Sequence, residues 1–330
     1  MSESALDAAG MTSLPQFEVA IEPPDLSPWR IGNTGVAGFI TRGGAEPGPH
    51  VGLVALMHGN ELAGAVVLAR LLEAGLRPLR GRITMGFANL AAFDQFDRTQ
   101  PTASRFVDED MNRLWDPALL DGPRQSSELG RARQMRPLID GFDMLLDLHS
   151  MLWPSEPLVL SGTTGKGRAM AHRIGTPGLV VADGGHMSGR RLIDYGGFAD
   201  PAAAQAAVLV EAGQHWAPAT IDTTLRAVSG LLHHLGMVAG DPALPLPDEA
   251  IATTSCARFA RVTMAVTAST AGFSFVKSFR GGDVVAERDT LIAVDGDAEI
   301  RTPHDDCLLV MPSLRPGRGH TAVRLAQFED

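Results

Sequence analysis

Over the first two thirds of the chain the apolar residues cluster in short uninterrupted runs. Residues Val51 to Met57, V-G-L-V-A-L-M, have no polar side chain, which is long enough for a strand buried on both faces and too short for an independent helix. After His58, Gly59 and Asn60 allow a tight turn, and from Glu61 the chain reads E-L-A-G-A-V-V-L-A-R-L-L-E-A-G, good helix formers stopped by Gly75. Arg82 to Ala88 predicts the next strand and completes a βαβ unit with parallel strands and a right-handed crossover. Helix-forming Ser126 to Ile139 precedes F-D-M-L-L-D-L-H-S, a second buried strand. Pro157 to Ser161 and Gly178 to Ala182 predict strands flanking a helix from Gly165 to Ile174, Ala207 to Val210 a further short strand, and residues 217 to 236 a closing helix. Ahead of all these, residues 16 to 22 alternate as a strand, and another is expected around Gly35 to Thr41.

The pattern changes after Gly240 to Pro247, G-D-P-A-L-P-L-P, which reads as a linker. Beyond it, short alternating strands at Ala260 to Val266, Asp289 to Ala293 and Cys307 to Met311 lie between Gly- and Asp-rich turns. The expected organisation is therefore a catalytic α/β domain over residues 1–240 and a small all-β domain over 241–330, consistent with a length of 330 residues. A net charge of -10 with no basic stripe argues against a nucleic-acid partner. No run approaches the roughly 18 apolar residues of a membrane span, and the first fifteen residues lack a basic and an apolar leader region, so a cytoplasmic protein is expected. The two cysteines, Cys256 and Cys307, are too few and too far apart for a disulfide framework or a thiolate zinc site and read as buried thiols.

Chemistry enters at the ends of the buried strands. His58 and Glu61 lie three residues apart at the carboxyl end of the first, where open sheets place their ligands, and an imidazole with a carboxylate is what zinc accepts. His149 ends the second strand and can supply a third ligand; Asp147, two residues earlier on the same face, can orient its ring. Glu211 follows the strand Ala207 to Val210, and a carboxylate at the end of a core strand is poorly placed unless paired or catalytic. Between these points a long polar loop, Asp94 to Trp115, carries R-F-V-D-E-D-M-N-R-L-W. Each signal alone has a plainer reading: a favourable first-turn glutamate, a solvated charged loop, a buried Asp–His pair.

Taken together and in order, H-G-N-E at 58–61, R-F-V-D-E-D-M-N-R at 105–113, D-L-H at 147–149 and V-E-A-G at 210–213 resemble the succinylglutamate desuccinylase/aspartoacylase family, of the zinc carboxypeptidase superfamily. The resemblance covers about the first 240 residues. It implies a three-layer αβα sheet domain of zinc carboxypeptidase type and one Zn2+ per chain held by His58, Glu61 and His149. It further implies Glu211 as general base, Arg105 polarising the scissile carbonyl, and Asn112 with Arg113 holding a substrate carboxylate. The expected activity is hydrolysis of the amide of a small N-acyl amino acid, with an acetylated diamino acid a fitting example. Peptide hydrolysis by a zinc carboxypeptidase, or binding of a small acid without catalysis on the same fold, are the alternatives. The oligomeric state stays open, a homo-oligomer included.

The sequence departs from the aspartoacylase pattern at two points. The family's arginine shortly before the general base has no counterpart in Pro201 to Val210, the nearest being Arg190 and Arg191. The single tyrosine, Tyr195, lies in the catalytic domain, within a Gly-rich stretch expected to form an ordered loop over the site, whereas aspartoacylases bring one from the C-terminal domain. Arg190, Arg191 and Tyr195 are therefore the substrate-binding candidates on this side of the site.

Overall fold

The structure is a computed structural model describing residues 18–185, 188–239, 244–247 and 257–329. The first fifteen residues, the start of the alternating stretch 16–22, His186 and Met187 in the Gly-rich loop, the first half of the linker and Cys256 lie outside the described residues. By internal contacts the chain divides into a larger unit, Val19–Leu152 with Pro157–Phe259, and a smaller one that contains Trp153–Glu156 and the chain from Ala260.

In the larger unit the elements are β1 (Phe39–Gly43), β2 (Glu46–Ala55), α1 (Leu62–Glu73), β3 (Arg80–Phe87), α2 (Leu90–Phe93), α3 (Pro117–Leu120), α4 (Ser127–Ile139), β4 (Met144–Met151), β5 (Leu158–Leu160), α5 (Gly165–Ile174), β6 (Leu179–Ala182), β7 (Ala206–Gln214) and α6 (Pro218–His234). Their strands lie in the order β1-β3-β2-β4-β7-β5-β6. β3, β2, β4 and β7 are mutually parallel, so the unbroken apolar runs are strands covered on both faces. β1 and β5 run antiparallel to their central neighbours.

Alternation sorts the side chains of these strands into two layers. Leu53, Ala55, Leu146, Leu148, Val208 and Val210 join buried residues of α1, α5 and α6 in one continuous core. Val54, Leu145, Asp147, His149, Leu209 and Glu211 point to the other face, the layer to which α4 contributes a buried stripe of Leu129, Ala132, Met135 and Ile139. The expected three-layer α/β architecture is thus present. Each buried Leu or Val contributes roughly 1.5–3 kcal/mol, and the polar residues on the second face gain nothing comparable, so they need partners.

The smaller unit holds β8 (Arg258–Thr267, whose first two residues belong to the larger unit), β9 (Ser274–Phe275), β10 (Val284–Val285), β11 (Leu291–Asp295), β12 (Ala298–Arg301), β13 (Cys307–Val310) and β14 (Thr321–Glu329); β9 to β14 form antiparallel pairs, and the unit's own core includes Phe273, Ile292, Leu309 and Val323. Cys307 is one of those core residues. Three expectations need correction. Residues 18–22 form no strand, the strand expected around Gly35 begins only at Phe39, and β7 continues past Val210 to Gln214, so Glu211 sits within a strand rather than after it. Positive-φ glycines at Gly35 and Gly38 turn the chain just before β1, a local requirement that the apolar pattern does not encode. Among the described residues no helix is long and apolar enough to cross a membrane.

Candidate active site

Three adjacent parallel strands, β2, β4 and β7, bring the site together at their carboxyl ends. β2 is broken by Leu56, buried and in the left-handed region at φ 58°, a conformation costing on the order of 1 kcal/mol that turns the chain out of the sheet. Gly59 then passes so close to other backbone that a Cβ would lie 2.4 Å from Phe93 N and 2.6 Å from Ser104 O. Its N–H donates to the Arg105 carbonyl at 3.1 Å, tying the turn to the long polar loop.

His58, Glu61 and His149 are all buried, and a potential ligand atom of each lies within 4.8 Å of the others. Glu61 Oε1 is 2.7 Å from His58 Nδ1, and Glu61 Oε2 is 3.0 Å from His149 Nδ1. The far nitrogen of each ring also faces a carboxylate. His58 Nε2 is 2.9 Å from Asp110 Oδ1, and His149 Nε2 is 3.0 Å from Asp147 Oδ2. Arg105 Nη2 lies 2.9 Å from His58 Nε2 as well, but a guanidinium only donates, so a proton on that nitrogen can be given only to Asp110. An ionised carboxylate only accepts, so as these atoms stand Nδ1 of each ring faces Glu61 as a donor, and a cation taken up between them would displace that proton.

The electrostatics follow from burying these groups together. Burial alone pushes the Glu61 carboxyl up, but the His58 and His149 rings hold it well below the usual carboxylate range. For His149 burial pushes down, and Asp147 and Glu61 outweigh it, raising the ring well above the ordinary histidine value. Asp110 is likewise held well below the carboxylate range, against its burial, by His58 and then Arg105 and Arg113.

The loop that supplies Asp110 is anchored by Glu128, a fully buried residue in the first turn of α4. Its carboxylate accepts from the backbone N–H groups of Val107, Asp108 and Glu109 and from Asn89 Nδ2. Asp108 returns the favour by accepting from Ser127 N at 2.7 Å. Thus fixed, the loop directs Arg105 to Glu61 Oε1 at 3.4 Å and to Asp110 Oδ2 at 3.2 Å. Arg113 lies 3.7 Å from the same Asp110 oxygen and donates to the Asn112 carbonyl. Asn112 is buried and accepts from Leu192 N through Oδ1, which turns its amide nitrogen into the group left to donate. Glu211 is the register partner of His149 across β4 and β7, and its charge acts on the Arg105 guanidinium.

The remaining candidates are engaged elsewhere. Arg191 is 1% exposed and bound by Asp183 and Asp194, which accept from three of its nitrogens. Arg190 is half exposed and paired with Asp116 at 3.1 Å. The Tyr195 hydroxyl donates to Asp140 at 2.8 Å and accepts from Arg136 Nε, while its ring packs against Trp115. Asp140 precedes β4 and His149 lies near the end of that strand, so Tyr195 points to the opposite edge of the sheet. Its single hydroxyl is satisfied by α4 rather than offered to the site.

The donor set fits zinc. Two imidazole nitrogens converge on one buried carboxylate, each ring is backed by a second carboxylate, and the excess of negative groups is what a divalent cation neutralises. Asp110, Glu128, Ser150 and His215 are the functional-site neighbours that the sequence reading did not assign. Asp110 was visible inside the charged run, two residues before Asn112, and Glu128 is the first-turn acid of the helix read from Ser126.

The sequence matches the succinylglutamate desuccinylase/aspartoacylase catalytic domain over residues 47–235. A comparison with curated proteins yields no significant match. Among solved structures the chain is similar to succinylglutamate desuccinylase from Vibrio cholerae, with a TM-score of 0.62 and 16% identity over 88% of this chain and 85% of that one. It is similar to the product-bound ectoine utilization protein EutE (DoeB) from Ruegeria pomeroyi, with a TM-score of 0.58 and 18% identity over 87% of each chain. Murine aminoacylase 3 gives a TM-score of 0.59 and 17% identity over 86% of this chain and 96% of that one. At these identities the likeness to the solved structures is one of fold.

Proposed function

The chain belongs to the succinylglutamate desuccinylase/aspartoacylase family, whose members hydrolyse amides, and from that premise we propose that it is a zinc-dependent deacylase of a small N-acyl amino acid. The observation that carries the reading is the convergence of His58 Nδ1 and His149 Nδ1 on the buried Glu61 carboxylate, with Glu211 in register beside His149. His58, Glu61 and His149 would hold the ion. When bound, zinc supplies a Lewis acid that polarises the acyl carbonyl and makes a water acidic enough to ionise near pH 7.

The chain's own groups supply the rest. Glu211 accepts the proton of the attacking water and delivers it to the amide nitrogen as the C–N bond breaks, so that water and amide become a carboxylate and a free amine. Arg105, directed by Asp110 and Glu61, faces the negative charge that develops on the carbonyl oxygen. Arg113 presents a planar fork to the substrate carboxylate, and the Asn112 amide nitrogen donates beside it. Arg191 and Tyr195 take no part in this scheme, because their polar atoms are committed to Asp183, Asp194, Asp140 and Arg136.

The test couples elemental analysis of the purified protein to a free-amine release screen over N-acetyl and N-succinyl amino acids and C-terminal dipeptides, with and without chelator. About one zinc per chain and chelator-sensitive release from N-acyl amino acids is the expected outcome. Turnover of the dipeptides alone would move the substrate class to peptides, and a folded protein without metal or turnover would overturn the assignment.

A further inference from the structure

Two buried residues just past Glu211, His215 and Trp216, are not used by the scheme above. Alternation along β4 sends His149 to the site face and Ser150 to the face of Leu146 and Leu148, under α1, α5 and α6. Regular alternation along β7 would put His215 on the Glu211 face. Instead the register shifts between His149 and Met151, which pair with Glu211 and Gln214, so β7 carries one extra residue and its alternation reverses. Gly213, at φ 137°, occupies that bulge in a conformation L side chains rarely adopt, and a Cβ there would lie 2.8 Å from Thr220 Oγ1.

The reversal gives His215 a specific partner. It is 2% exposed, its Nδ1 lies 2.7 Å from Ser150 Oγ, and its backbone N–H donates to the Met151 carbonyl at 2.8 Å. Ser150, through its own backbone N–H, donates to Glu61 Oε2 at 3.1 Å. The next residue, Trp216, is also buried and donates Nε1–H to the carbonyl of Asn60 at 3.1 Å, in the turn between His58 and Glu61. One dipeptide therefore grips both chain segments that carry the metal-ligand candidates. A buried histidine gives up hydration that a leucine would not have to lose, and here its Nδ1 is compensated by Ser150 Oγ.

We infer that His215 and Trp216 are positioning residues for the metal triad, holding Glu61 and the two flanking imidazoles at ligand spacing through Ser150 and the Asn60 carbonyl. This rests on the zinc reading of the site. Neither residue touches the reacting atoms; their effect reaches the ion only through the ligands they hold, as for other groups behind a metal centre.

The experiment measures zinc affinity by chelator competition on the folded protein, and the visible absorption of the cobalt-substituted form, for wild type, His215→Leu, His215→Asn, Trp216→Phe and Ser150→Ala. His215→Leu and Trp216→Phe should each weaken zinc binding by about 10- to 100-fold and shift the cobalt bands. His215→Asn, whose amide can occupy the Nδ1 position, should recover most of the affinity. At saturating zinc, kcat should return toward wild type with KM unchanged. A purely structural role would lower the melting temperature while leaving zinc affinity and cobalt spectrum as in wild type, and that result would overturn the inference. If His215→Leu does not fold, Trp216→Phe and Ser150→Ala carry the same comparison. A wild-type protein that binds no divalent metal would overturn the site reading and this inference with it, whereas tight wild-type binding with unchanged variants sinks the positioning role alone.

Discussion

Glu211 and Arg113 separate the two kinds of work that single residues do in this site. Glu211 lies beside His149 but outside the triad, so Glu211→Gln should keep metal and fold while kcat falls by about 10²- to 10⁴-fold. Metal content and single-turnover rates check this, and an active, metal-loaded variant would remove Glu211 as the base. Arg113 is 3.7 Å from Asp110, whereas Arg105 reaches Glu61 itself, so Arg113→Ala should mainly raise KM for substrates bearing a carboxylate. An unchanged KM would take it out of the binding role. His58, Glu61, His149 and Glu211 drew attention in the sequence because imidazoles and carboxylates stood where buried strands end, whereas the roles expected of Arg105, Asn112 and Arg113 came from the family resemblance. Arg190, Arg191 and Tyr195 show the limit of that reasoning: a residue type and a chain position do not reveal that Asp183 and Asp194 will enclose one arginine, or that α4 will satisfy the tyrosine hydroxyl.

At the scale of elements, the long loop holds its shape because of a helix. Four donors converge on the Glu128 carboxylate, three of them backbone N–H groups of Val107 to Glu109 that have this side chain as acceptor. Glu128→Ala should therefore cost about 3–5 kcal/mol of stability, since charge-assisted bonds are lost and their donors left poorly placed. Chemical denaturation reads that loss, and zinc affinity should fall with it because Asp110 rides on the same loop; a change below about 1 kcal/mol would contradict the anchoring role. Most of the strands and helices expected in the larger unit lie within two or three residues of those observed, because an unbroken apolar run can bury both faces only in a central strand, whereas α2, α3 and the short strands β9, β10 and β12 carry no such run. The exceptions were governed by turns. The onset of β1 depends on positive-φ glycines, and the extension of β7 depends on pairing with β4 and a bulge at Gly213, neither of which leaves a mark in the apolar pattern.

For the molecule as a whole, stability should respond to pH and to metal in distinguishable ways. His50 sits between Thr84 Oγ1 at 2.7 Å and the Gly141 carbonyl at 3.0 Å, and its burial, reinforced by Arg82, pushes its pKa below the ordinary 6.5. The folded protein therefore takes up this proton at lower pH than the unfolded chain does. The contribution of His50 is complete above about pH 6.5 and is lost as the pH falls through its depressed folded value. His50→Gln should flatten the decline of unfolding free energy on the acid side of 6.5; a profile parallel to wild type would exclude His50 as a cause. Zinc at about 100 times its Kd should stabilise the unit carrying the triad by about 2.7 kcal/mol, seen by calorimetry as an upward shift reversed by chelator.

What the sequence determined by itself was the chemistry and the layers: which runs must be buried as strands, which donors sit at their ends, and that two histidines and a glutamate suit a metal. Those properties are local, set by side-chain type and by a periodicity of a few residues. Tertiary structure alone decided the partners. That Asp110 backs His58, that Glu128 moors the loop, that Arg191 is enclosed by carboxylates, and that one added residue in β7 turns His215 toward Ser150 all depend on strand register and on packing between segments far apart in the chain. A one-residue change of register exchanges the two faces of a strand, and no pattern confined to one strand can report the register it adopts with its neighbour.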